Sequence, residues 1–204
     1  MNKDAVLAVQ GFVLAGGKSS RMGVDKATLT VGGRSMVSIA VETLRQVCGE
    51  VSIVGNRQDL REVAPVVGEA RLETGPGAGI EAGLFAALAS GGGEWCLFVP
   101  VDVPLLPAFL LREFAESMLA AGDEVRGGYV VAGEKTQPLV CMLRRTCLRT
   151  VRGALDRDER RVKGLLAEVE AVAWEAPGTV EELARWFFNV NAPGDVAVVE
   201  GMLG

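Results

Sequence analysis

Phe12-Val13-Leu14-Ala15-Gly16-Gly17-Lys18-Ser19-Ser20-Arg21-Met22-Gly23-Val24-Asp25-Lys26 runs a short apolar segment straight into paired glycines, followed by two spaced cations. Phe12 to Ala15 has the length and composition of a buried strand. Gly16 and Gly17 let the backbone come close to a ligand, and bare N–H groups in such a turn form an anion-binding concavity. Arg21 adds a planar fork and Lys26 a mobile point charge. The stretch therefore reads as a strand feeding a polyphosphate-binding turn. It is not a P-loop, and it does not match the G-x-G-x-x-G dinucleotide fingerprint.

Outward from this turn, apolar runs of strand length alternate with helical patterns, which predicts an α/β layer fold with a mostly parallel central sheet. Ser35 to Val47 reads as a helix capped by Ser35, and Val51 to Val54 as a second strand. Gln58 to Val63 reads as a short helix leading to Val66-Val67. Gly75-Pro76-Gly77-Ala78-Gly79 reads as a glycine-rich loop opening into a helix over Ile80 to Ala89. Trp95 to Val99 predicts a central strand and Pro107 to Leu119 a helix with proline at its start. Tyr129 to Ala132 and Pro138 to Leu143 predict two further strands, close enough together for one to run antiparallel. Arg144 to Arg152 reads as helical, Asp156 to Arg161 as a solvated charge run, and Val169 to Trp174 as an edge strand. Phe187 to Asn191 reads as short and extended, and Pro193 to Met202 as a closing helix. With no repeat and no linker, residues 1–204 are expected to form one domain.

The 204 residues are 49% hydrophobic, enough for a sizeable core without metals or disulfides. A net charge of −5 and a pI near 5.0 argue against a general nucleic-acid binder, so any polyphosphate site must be made by a few placed cations. Cys48, Cys96, Cys141 and Cys147 form no C-x-x-C pair and read as buried reduced thiols. No signal peptide or membrane-length apolar run is visible, which fits a cytoplasmic protein. There is no histidine. Catalysis must therefore come from carboxylates, cations, a bound metal or positioning.

Asp102 is the second informative residue. It follows an apolar strand and stands between Pro100 and Pro104. In an open parallel sheet, ligands bind outside the carboxyl ends of the strands, so Asp102 and the glycine turn are expected to share one crevice. A carboxylate there suits Mg²⁺, which takes its remaining ligands from water and phosphate.

Leu14 to Lys26 resembles the L-A-G-G-x-x-x-R-M-G-x-D-K signature of the molybdenum cofactor guanylyltransferases, within the wider nucleotidylyltransferase superfamily. Pro100-Val101-Asp102-Val103-Pro104 resembles that family's C-D-x-P motif, whose Asp binds the metal. The resemblance spans nearly the whole chain. It implies a Rossmann-like three-layer fold of the nucleotide-diphospho-sugar-transferase type. It also implies that Arg21, Lys26 and Asp102 carry the chemistry, with Mg²⁺ on Asp102. The nucleotide contacts it implies are Leu14, Ala15, Gly16, Gly17, Lys26, Asn56, Glu69, Gly75, Gly79, Asp102, Asn189 and Asn191.

Several of these positions depart from the family pattern. Val54 stands where relatives often carry an Asn that contacts the nucleoside, leaving Asn56 or the backbone to substitute. Gly77 replaces a Leu in the family's G-P-L-A-G, which is expected to loosen the loop. Gln137 replaces the His of an H-P segment. Asn189 and Asn191 match the family's N-V-N ending. There Asn191 serves either the ligand or the start of the last helix, where Ala192 replaces a capping Thr. Arg160-Arg161-Val162 resembles an R-R-V segment near the pterin, and reads equally as a solvated basic turn.

The resemblance implies transfer of GMP from GTP to molybdenum-molybdopterin with release of pyrophosphate. It also implies transient contacts with proteins that supply molybdopterin or mature molybdoenzymes, and no nucleic acid or membrane partner. Gly16 is the letter that separates guanylyl from cytidylyl relatives, which carry Ala there. The alternatives are a cytidylyltransferase, a sugar-phosphate nucleotidylyltransferase, or a non-catalytic carrier of nucleotide or pterin.

Overall fold

The structure, a computed structural model, describes residues 5–16, 25–69, 71 and 75–203. In chain order its elements are β1 (Leu7–Leu14), the hairpin strands β2 (Thr30–Val31) and β3 (Arg34–Ser35), α1 (Met36–Arg45), β4 (Cys48–Val54), β5 (Val66–Val67), α2 (Pro76–Ser90), β6 (Trp95–Pro100), α3 (Ala108–Ala120), β7 (Gly127–Ala132), β8 (Lys135–Arg144), α4 (Leu148–Asp156), α5 (Val162–Glu168), β9 (Val172–Glu175), α6 (Val180–Trp186) and α7 (Pro193–Leu203).

Seven strands form one sheet in the order β5-β4-β1-β6-β8-β7-β9. β8 alone runs antiparallel to its neighbours β6 and β7. Strand order reverses at β1, which pairs in parallel with β4 on one side and β6 on the other. Leu14 and Pro100 are register partners, so β1 and β6 end level with one another. That reversal opens a crevice at the carboxyl ends of the strands.

Side chains alternate across β1. Val9 and Val13 pack into the layer holding α1 and α3, whereas Phe12 and Leu14 pack against α2, α4 and α5. Both faces are buried, which is why the strands read as unbroken apolar runs. α1 starts where expected, with Ser35 Oγ accepting from the Ser38 N–H at 3.3 Å. All four cysteines are free and buried, and burial pushes the Cys48 and Cys96 thiols up to about 12.

Some elements differ from expectation. Arg144 ends β8 instead of opening a helix. Its guanidinium lies 4.6 Å over the Trp95 ring and pairs with Glu94, which anchors it to the sheet. Phe187 to Asn191 belongs to no strand. The helices α5 and α6 have no counterpart in the sequence pattern read above, although α6 carries a complete capping box. Thr179 accepts from the Glu182 N–H at 3.2 Å, and the Glu182 carboxylate accepts from the Thr179 N–H at 2.8 Å.

The segment from Pro76 to Gly79 is the first turn of α2, not a loop, and Gly77 does not loosen it. Gly77 is buried, and a Cβ built on it would lie 2.7 Å from Leu165 Cδ1 and 3.1 Å from Leu155 Cδ2. Those leucines from α4 and α5 fill the space that a larger side chain would need. Gly77→Val should therefore destabilise the fold by roughly 1–3 kcal/mol. For a chain this size that lowers Tm by about 2–4 °C per kcal/mol, which calorimetry would read.

Candidate active site

Leu14, Ala15 and Gly16 continue β1 into a cavity of about 210 Å³, lined also by Lys26, Glu69, Gly79 and Asp102. The strand ends hold it from below. The Ala15 N–H donates to the Val54 carbonyl at 3.0 Å, and the Val101 N–H to the Leu14 carbonyl at 3.3 Å. Gly17 and Arg21 lie outside the described residues.

Lys26 sits in a short 3₁₀ turn whose cap is Asp25, which accepts from the Ala27 N–H at 3.1 Å. Asp25 is itself gripped by Arg57, which donates to Oδ1 at 2.8 Å and approaches Oδ2 at 2.5 Å. Arg57 also donates to Asp59 Oδ1 at 3.0 Å. The hydrogen bond to Asp59, and then Asp25, hold the guanidinium pKa above its ordinary value. The Asp-Lys and Asn-Arg segments, separate in sequence, are thus one unit. Arg57 at the end of β4 fixes the turn that carries Lys26.

Lys26 Nζ donates to Asn191 Oδ1 at 2.8 Å and lies 3.4 Å from Asp102 Oδ2. The Asn191 segment is held in turn, because the Val190 N–H donates to the Asp102 carbonyl at 2.9 Å. The two readings of Asn191 separate here. The start of α7 is served by Asp195, whose Oδ2 accepts from the N–H groups of Asn191 and Ala192 at 2.7 and 2.8 Å. The Asn191 side chain is left to face Lys26.

The other oxygen of Asp102, Oδ1, is buried and has no hydrogen-bond partner among the described residues. Leaving a buried carboxylate oxygen unpaired is costly, so it marks a place for a cation. Among the described residues, no cluster of three or more His, Cys, Asp or Glu could hold a metal unaided. A hard cation with most of its ligands from phosphate and water suits such a site.

Glu69 lines the same cavity as Asp102 and is half-buried. Burial raises its pKa, and no hydrogen bond to its carboxylate is present among the described residues. Its backbone is fixed by Asn56, whose Oδ1 accepts from the Glu69 N–H at 3.2 Å and whose Nδ2 donates to the Glu69 carbonyl at 3.4 Å. Asn56 thus presents Glu69 to the cavity and does not itself line it. A Cβ on Gly16 would collide with the Glu69 carboxylate, and one on Gly79 would stand 3.3 Å from it. The two glycines make the room that Glu69 occupies. No local signal in the sequence shows this, because the residues meet only in the fold.

Besides Asn56, two expected site residues lie elsewhere. Gly75 is the cap of α2, with φ +76°, and does not line the cavity. Asn189 donates to the Phe187 carbonyl at 3.1 Å and lines a separate groove with Gln137, between the β7–β8 hairpin and α6. Pro76 and Leu139 line both the main cavity and a neighbouring groove of about 520 Å³ that carries Arg160, Arg161 and Lys163.

The MobA-like NTP transferase domain matches residues 11–172, and the chain belongs to that family. It is 34% identical to the molybdenum cofactor guanylyltransferase of Rhizobium meliloti, over 94% of this chain and 90% of that one. It is 33% identical to the molybdenum cofactor guanylyltransferase of Cereibacter sphaeroides, over 95% and 96%. Among solved structures it resembles molybdopterin-guanine dinucleotide biosynthesis protein A of Archaeoglobus fulgidus, with a TM-score of 0.72, 20% identity, and 95% and 98% of the two chains covered. 4-Diphosphocytidyl-2C-methyl-D-erythritol synthase of Anaerococcus prevotii shares the fold at a TM-score of 0.69 and 11% identity, over 96% and 95%. No helix among the described residues is long and apolar enough to cross a membrane.

Proposed function

We propose that the chain transfers GMP from GTP to molybdenum-molybdopterin, releasing pyrophosphate. The observation that carries this reading is the face-to-face placement of Lys26–Asn191 and the half-unpaired Asp102 at the reversal of strand order. Such a site brings positive charge to a triphosphate at the position where α/β sheets bind ligands.

The acceptor's phosphate oxygen attacks the α-phosphorus in line, the new P–O bond forms, and the bond to the β-phosphate oxygen breaks. Transfer of this kind needs positioning and charge neutralisation more than proton transfer, so a chain without histidine can perform it. Lys26, aimed by Asn191, neutralises the phosphates. Arg21, outside the described residues, is the second cation assigned to them. Asp102 would hold Mg²⁺ through its unpaired oxygen, and the ion would neutralise phosphate oxygens when bound. The groove carrying Arg160, Arg161 and Lys163 adjoins the cavity and suits an anionic acceptor.

Guanine is the base that fits Glu69. Its N1–H and N2–H₂ groups are adjacent donors, matching the two oxygens of one carboxylate, whereas cytosine offers a single donor beside acceptors. The extra methyl of cytidylyl relatives would fall on this carboxylate. Gly16 thus acts on base choice through Glu69, and not simply by leaving room for a purine.

The test is pyrophosphate release from Mg²⁺–GTP with molybdenum-molybdopterin added. Release that requires the acceptor is expected, with CTP a poor donor. Release with CTP in preference to GTP would overturn the guanylyl assignment. GTP binding without release under any condition would favour a carrier.

A further inference from the structure

α2 carries one charged residue, Glu81, and it is buried at 7% exposure. Its carboxylate receives two guanidiniums. Arg71 Nε donates to one oxygen and Arg152 Nε to the other, each at 2.7 Å. Arg71 reaches further, to Asp156 at the end of α4, at 2.5 Å. Burying a carboxylate is expensive unless it is paired this completely, and a helix this apolar gains nothing in packing from a charge. The arrangement makes sense through what it holds. Arg71 is two residues along the chain from Glu69, between β5 and α2. Asn56 holds the Glu69 backbone from the β4 side, and the Glu81–Asp156 pair holds the chain just beyond it from the α2–α4 side.

We propose that Glu81 and Arg71 form a clamp that sets the position of the Glu69 carboxylate, and so determine base selectivity without touching the nucleotide. The inference rests on the reading of Glu69 as the base-contacting group. Glu81 and Arg71 are positioning residues. A carboxylate must sit square to both donors of the guanine edge to profit from each. A loose one keeps a single hydrogen bond and loses the distinction between guanine and a base lacking the 2-amino group.

The experiment compares dissociation constants of GTP and inosine triphosphate, which lacks that amino group. The proteins are the wild type, Glu69→Gln, Glu81→Gln and Arg71→Met. The Arg71 variant keeps the Glu81–Arg152 pair, so the test survives if Glu81→Gln fails to fold. The wild type should prefer GTP by roughly tenfold or more, the scale of one well-made base contact. Glu69→Gln should bring the two affinities close together. Glu81→Gln and Arg71→Met should remove most of the preference while leaving inosine triphosphate affinity within about twofold of wild type, since the phosphate contacts are untouched. If Glu69→Gln erases the preference and both clamp variants keep it, the clamp is wrong and the base reading stands. Equal loss of both nucleotides in the clamp variants would also overturn it, because that is general damage. If Glu69→Gln keeps the preference, the base reading falls and the clamp with it.

Discussion

Asp102→Asn is expected to leave a folded protein that releases pyrophosphate on the order of a hundredfold to a thousandfold more slowly than wild type, the scale seen when one group stabilising transition-state charge is lost. The substitution keeps the shape of the side chain. It removes the negative charge and offers only one acceptor oxygen where the carboxylate has two, of which Oδ1 is buried and unpaired. The contact with Lys26, at 3.4 Å and partly exposed, contributes about 0–1 kcal/mol to stability, so the Tm should move by only a few degrees. GTP should still bind through Lys26 and the strand ends, but adding Mg²⁺ should no longer raise the Tm of the GTP complex. Turnover within a few-fold of wild type would remove Asp102 from the chemistry.

Gly16→Ala should reduce kcat/KM for GTP by about tenfold to a hundredfold while sparing CTP, or improving it, as expected for an overpacked contact. The added methyl collides with the Glu69 carboxylate, which must then leave its place in the cavity, the place proposed to meet the base. The sign of the double variant makes this sharp. If the methyl acts through Glu69, then Gly16→Ala combined with Glu69→Ala should cost little more than Glu69→Ala alone, because the partner it displaces is already gone. Additive losses would mean that Gly16 serves only the backbone path out of β1, and GTP and CTP would then suffer equally.

These outcomes turn on contacts that differ in how far the sequence exposes them. The end of β1 and Asp102 beyond β6 are legible as neighbours in one cavity because their signals are local: an apolar strand, then a glycine or a proline-flanked charge. The helix α1 is legible for the same reason, with its cap and apolar spacing contained between Ser35 and Val47. α5 escaped because its seven residues follow a charge run that masks any period. α6 escaped although the Thr179–Glu182 capping box was there to be read. Asn189 and Asn191 illustrate another limit. Two residues apart in an extended stretch they would share a face. The segment joins no strand, and one asparagine meets Lys26 while the other lines a different groove. Glu69 over Gly16, Lys26 on Asn191 and Arg71 on Glu81 have no local signal at all. Each joins segments brought together only by the parallel pairing of β1, β4 and β6 and by the packing of α2 on α4.

The bond from Lys26 to Asn191 spans 165 positions of the chain. During synthesis, β1 and the strand leading to Asp102 emerge and can pair long before the asparagine that aims the lysine exists. A nascent chain can therefore bury β1, β4 and β6 while remaining unable to grip a nucleotide in the mature way, and competence arrives only once Asn191 has been made. Once it arrives, bound nucleotide ties the segment after β1 to the segment before α7, and a molecule holding it gains protection against local opening of both segments at once.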